Sequence, residues 1–233
     1  MAPPIPDATF HGPNILMFSD PTIVIIELVL TLLAVAFCFL IYFKTKEVYE
    51  LTKYEGIKYF RYAFLFFGIS YILSFISSIA IFSRIIFGLV LPRDIFGPLF
   101  ILPLGYLSTM AILYLIYSSI WKNFESRRTL IISHIVAIVL TIVTFMTRSH
   151  LILLYLQSIL FILAIILRPY ARKDKKKISQ TRILYFLVLG VWLVNLLVLG
   201  RGRPIYPLID ISLLIASILA YIFIYYKISK WVK

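Results

Sequence analysis

Seven stretches of this chain are long and apolar enough to cross a lipid bilayer, and that pattern dictates a membrane bundle rather than a soluble core. They run approximately over 21–43, 60–83, 97–120, 129–147, 150–167, 183–200 and 207–226. A helix needs about 20 apolar residues to cover a hydrocarbon core about 30 Å thick, and the fifth and sixth runs, at about 18 residues, span it with little tilt. The sequence is 62% hydrophobic and 14% charged, outside the ordinary soluble range, which supports the same reading. The expected fold is all-α: an extracytoplasmic tail over 1–20, a seven-transmembrane helix bundle over 21–226, and a short basic tail over 227–233.

Charge then orients the bundle. With loops assigned alternately to the two sides, 18 lysines and arginines fall on one side and five (Arg84, Arg93, Arg148, Arg201 and Arg203) on the other. Excess Lys and Arg mark cytoplasmic loops, so the amino terminus is expected outside and the carboxyl terminus in the cytoplasm of a multi-pass cell-membrane protein. Five acids, Glu47, Glu50, Glu55, Glu125 and Asp174, share the basic side and leave it at +13, the net charge of the whole chain. Such a surface suits anionic lipid headgroups and an acidic protein partner. Nucleic acid is not expected, because there is no soluble basic domain to receive it.

Outside the spans, KTKEVYELTKYEGIKYFRY reads as a helix continuing beyond the bilayer to Tyr54, with Lys46 and Glu50 at i, i+4 spacing and Gly56 as its stop. SRIIFGLVLPRDIFGP carries an apolar patch too short to cross, so 84–96 reads as an interfacial loop or half-turn. The start MAPPIPDATFHGPN lacks the basic and apolar regions of a cleavable signal, and the first span is expected to act as its own. GIKYFRYAFLFFGISYILSF can be laid over KISQTRILYFLVLGVWLVNLLVL by pairing Arg61 with Arg182 and, with one gap, Gly68 with Gly190. Spans one to three and five to seven share an orientation, as a parallel 3+1+3 duplication requires.

Against this background the polar intramembrane residues stand out. Glu27, in PTIVIIELVLTLL, lies about 9 Å inside the outer boundary. An ionisable side chain there costs roughly 2 to 4 kcal/mol by insertion scales. Gln157, Asn195 and the shallower Asp210 also fall in the outer half, and Pro103 and Gly105 disturb the third span just above Tyr106, Ser108 and Thr109. Glu27, Thr31, Ala34 and Cys38 recur at helical spacing, as do Ser70, Ser74, Ser77 and Ser78, and Asp210, Ser217 and Tyr221. Small polar stripes serve either helix packing or a pocket. A carboxylate is a poor packing element, so Glu27 points to a pathway, a proton site or a bound cation.

Several classes are excluded. The last span has no lysine between Pro207 and Tyr226 to hold retinal, and no Pro-Gln pair of the small sugar and amino-acid carriers occurs. The receptor signatures Asp-Arg-Tyr and Asn-Pro-x-x-Tyr are missing as well. There is no His-Glu-x-x-His, no Gly-x-Ser-x-Gly and no phosphate-binding glycine loop, so no enzyme is expected. Cys38, the sole cysteine, offers neither disulfide nor thiolate cluster. His134 lacks companions at ligand spacing and reads as a packed or interfacial residue, so neither metal nor cofactor is expected.

The expectation is a receptor or sensor with an outward-facing polar pocket. Glu27 and Asp210 would recognise charge, Gln157 and Asn195 would hydrogen-bond, and Tyr106 and Trp192 would line the cavity. With no effector domain in the sequence, the signal would pass to a separate protein partner. A small proton- or cation-coupled transporter and a structural subunit of a membrane complex are the alternatives.

Overall fold

The computed structural model describes residues 21–87, 95, 97–120, 127–147, 150–167, 190 and 207–232. Among them there is no strand. The helices are α1 (Pro21–Thr52), α2 (Glu55–Phe87), α3 (Leu102–Ile120), α4 (Arg127–Thr147), α5 (His150–Leu167) and α6 (Pro207–Val232), with a π-helical turn over Gly97–Ile101 leading into α3. Five described helical stretches are long and apolar enough to cross a membrane: Ile25–Thr52, Glu55–Ala80, Pro98–Ser118, Arg128–Thr147 and Ile211–Lys230. α5 adds an 18-residue apolar helix. These helices mark the chain as an all-helical membrane protein.

Local chemistry sets the helix ends. Proline at the first position of α1 has no N–H to leave unbonded there. α1 stops at Thr52 because Lys53 adopts a left-handed backbone, φ 51°, and its N–H returns to the Tyr49 carbonyl at 2.7 Å. The expected stop at Gly56 is therefore corrected: Gly56 is buried in the first turn of α2, and a lysine takes the conformation usually left to glycine. Residues 84–87, expected in an interfacial loop, instead finish α2; 88–94 and 96 lie outside the described residues.

α1 lies between α2 and α6, α2 also packs on α3, and α3 carries α4 and α5, which touch each other. The small-residue stripe of α1 continues inward from Ala34 and Cys38 through Ile41, Thr45 and Val48, all buried. These alternating steps of four and three keep one face against a partner along its length. α6 answers with Ser217, Tyr221, Ile224 and Ile228 at the same spacing. Phe64 and Phe67 of α2 and Ile112, Leu115 and Ile116 of α3 complete the core. In lipid, van der Waals contact between close helices holds such a core, so small residues matter. A Cβ at Gly68 would stand 3.2 Å from the Phe39 ring and 3.4 Å from Cys38 Cβ.

Many hydroxyls in the spans bond their own helix. Thr31 donates to the Glu27 carbonyl at 2.7 Å, Thr45 to Ile41 at 2.7 Å, Thr141 to Ala137 at 2.7 Å and Ser217 to Leu213 at 3.0 Å. Returning the proton to a carbonyl one turn back satisfies the group where water is absent.

Candidate functional site

Apart from the bonds of Arg61 and Glu55 at the α1–α2 end, the described polar side chains that bond across helices gather in two places. The first joins α3, α4 and α5. Gln157 of α5 is buried, and its Nε2 donates to Ser108 Oγ at 2.9 Å and to Thr109 Oγ1 at 3.2 Å, both on α3. Ser108 passes its own proton to the Gly105 carbonyl at 3.1 Å, which gives the chain of bonds one direction. Gly105 of α3 faces Thr141 of α4, and a Cβ there would lie 3.3 Å from Thr141 Cγ2. This close approach brings α3 against α4.

One residue after Gly105, the Tyr106 hydroxyl and His134 Nδ1 share a 2.7 Å hydrogen bond, with the rings near-parallel and 6.2 Å apart. Tyrosine is the donor when the ring proton sits on Nε2. Tyr114 meets the other side of His134 edge-on at 6.3 Å and continues toward Phe66, Tyr62 and Tyr59 of α2. Beside Tyr106 a shallow cleft of about 300 Å³ is lined by Leu102, Pro103, Tyr106, Ile138, Thr141 and Ile142. Pro103 is the second residue of α3, just beyond the π-helical turn, and it has no N–H to bond the Leu99 carbonyl.

The second place joins α1, α2 and α6. Tyr71 and Tyr221 hydroxyls lie 3.1 Å apart, in the same core as the buried Cys38. Phe64 closes on the Tyr221 ring at 6.4 Å. Cys38 and Tyr221 are buried, so the tyrosine pair is sealed within the helices.

The expected site residues divide accordingly. Tyr106 and Gln157 meet through neighbouring positions of α3. Glu27 is part-buried on α1, whose neighbours are α2 and α6. Asp210 is the fourth residue of α6, with its side chain outside the described residues, as are Trp192 and Asn195. Sequence reasoning missed His134 as the partner of Tyr106 and Tyr71 as the partner of Tyr221. Among the described residues no group of three His, Cys, Asp or Glu side chains could hold a metal ion.

An uncharacterized protein of Archaeoglobus fulgidus is similar to this chain, at 29% identity over 192 residues that cover 79% of this chain and 85% of that protein. No protein-family model matches the chain, and no solved structure matches it.

Proposed function

We propose that the protein is a seven-helix cell-membrane receptor or sensor, with its amino terminus outside and a basic cytoplasmic face that engages a separate protein partner. The distribution of 18 basic residues against five supports the orientation. The observation that carries the reading is the Tyr106–His134 bond between α3 and α4 beside the cleft. A polar tie inside the membrane is a two-state element. A ligand entering the cleft that takes the Tyr106 hydroxyl for itself releases His134, loosens α3 from α4 and shifts the helix ends that the partner reads. In this reading Glu27 of α1 and Asp210 of α6 add charge recognition on the outer side.

Isolation of the tagged protein from native membranes tests this. A stoichiometric protein partner is expected with the wild-type chain, with altered occupancy in Tyr106→Phe. Absence of any partner under mild extraction would defeat the reading. Proton- or cation-coupled transport is the second reading, favoured by the hydrogen-bonded imidazole of His134 within a span. Proton movement coupled to solute counterflow in proteoliposomes, abolished in His134→Phe, would establish it instead.

A further inference from the structure

The loop between α1 and α2 forms a compact hairpin in which the acids are already matched. Glu47 pairs with Lys44, Glu50 with Lys46 at 3.7 Å, and Glu55 with Lys58 at 3.0 Å while also accepting from the Tyr49 hydroxyl at 3.1 Å. On α6 the cations lie over rings, Lys227 over Phe223 at 5.7 Å and Lys230 over Tyr226 at 5.9 Å.

Arg61 is different. It sits six residues into α2, about 9 Å along the helix from Glu55, where the hairpin meets the apolar part of the chain. Its Nη2 donates to the Tyr42 hydroxyl at 2.8 Å, and its guanidinium carbon lies 4.4 Å from the centre of the Tyr42 ring. Those partners hold the side chain, but both are neutral. Its Nε is buried with no hydrogen-bond partner; among the described residues only Ser229 Oγ shares that condition, and a hydroxyl is far cheaper to leave unbonded than a cation's N–H.

An oriented guanidinium with an N–H to spare, at the depth of the headgroups, calls for an anionic oxygen. Arginine matches phosphate through its planar fork of donors, which lysine lacks. We propose that Arg61, braced by Tyr42, is a binding site for a phosphate group, supplied by an anionic lipid of the leaflet on the hairpin's side. Arg61 as a whole is part-buried, so an acceptor can approach its fork of N–H groups while Nη2 keeps its bond to Tyr42. Phosphate oxygens then satisfy the N–H, and Tyr42 keeps the guanidinium at the membrane surface. The site does not depend on the receptor reading.

The test is thermal unfolding of the delipidated full chain with added phosphatidylglycerol, phosphatidylcholine or inorganic phosphate, comparing wild type with Arg61→Gln, Arg61→Lys and the exposed control Lys53→Gln. A saturable upward shift with phosphatidylglycerol is expected in wild type and Lys53→Gln. The apparent affinity should be roughly tenfold weaker in Arg61→Gln, with partial recovery in Arg61→Lys. The same pattern with inorganic phosphate alone would keep the site but assign it to a soluble phosphate compound. A shift that survives intact in Arg61→Gln, or no shift in wild type, overturns the proposal. If Arg61→Gln does not fold, Tyr42→Phe and native mass spectrometry decide: wild type should retain one phosphatidylglycerol per chain in preference to phosphatidylcholine, and Tyr42→Phe should retain less.

Discussion

The helices α1, α2 and α6 are joined mainly by a packed apolar core that α3 completes, whereas α4 and α5 are tied to α3 by hydrogen bonds. In the first group a continuous seam of Ala34, Cys38, Ile41, Thr45 and Val48 meets Ser217, Tyr221, Ile224 and Ile228, and the polar atoms inside it close on one another. In the second, Gln157 and His134 reach across to α3 while α4 shows a broad apolar face, Ile131, Ile135, Ile138 and Ile142, to the surroundings. A seam of complementary shapes has one good arrangement. The few hydrogen bonds that tie α4 and α5 to α3 can be exchanged for bonds to a ligand, so that side of the bundle is the part suited to change state.

Five substitutions probe that difference. Phe64→Ala, which opens a hole against Tyr221 and Phe67, should cost the most, about 3 kcal/mol in reversible denaturant-induced unfolding. A loss much below that would mean the first group is not a tightly fitted seam. Next come the two glycines. Gly68→Ala presses on Phe39 and Cys38 Cβ and should destabilise by about 1 to 2 kcal/mol. Gly105→Ala presses only on the Thr141 side chain, and equal destabilisation of the two variants would argue that the groups are equally rigid. Tyr106→Phe removes one bond between helices and should cost about 0.6 kcal/mol, yet speed amide hydrogen exchange in α3 and α4 and leave α1 unchanged. Uniform acceleration across all helices would erase the distinction. The smallest effect belongs to Lys53→Gly, expected to raise stability by about 0.5 kcal/mol because glycine takes the left-handed backbone freely but gives up more disorder on folding. A fall in melting temperature would show that Lys53 makes a contribution beyond its backbone.

Apolar length was the legible part of the fold. The expected limits 97–120 and 150–167 coincide with a π turn plus α3 and with α5, because hydropathy changes sharply where those helices end. The first and second helices run beyond the apolar limits 21–43 and 60–83, since they continue as a charged hairpin that hydropathy alone does not see. The i, i+4 pairing of Lys46 with Glu50 did signal the continuation, and the ion pair is present. For the candidate site, spacing along α1 revealed the stripe ending at Cys38, but the partners of Tyr106 and Tyr221 depend on how separate helices are rotated. Tyr106 and His134 lie on different helices, as do Tyr71 and Tyr221, and no local pattern records that they face each other.

The turn at Lys53 and Tyr54 also governs the order of assembly. With only those two residues between them, α1 and α2 can pair as soon as both have left the ribosome, at little cost in loop closure. The contact of α1 with α6 must wait until α6, far later in the chain, has been made. Until then Tyr221, Ile224 and Ile228 are missing from the core that Cys38, Ile41 and Val48 share with α2. The helix α6 is thus a clasp, and a nascent chain released before residue 207 would be open along that seam.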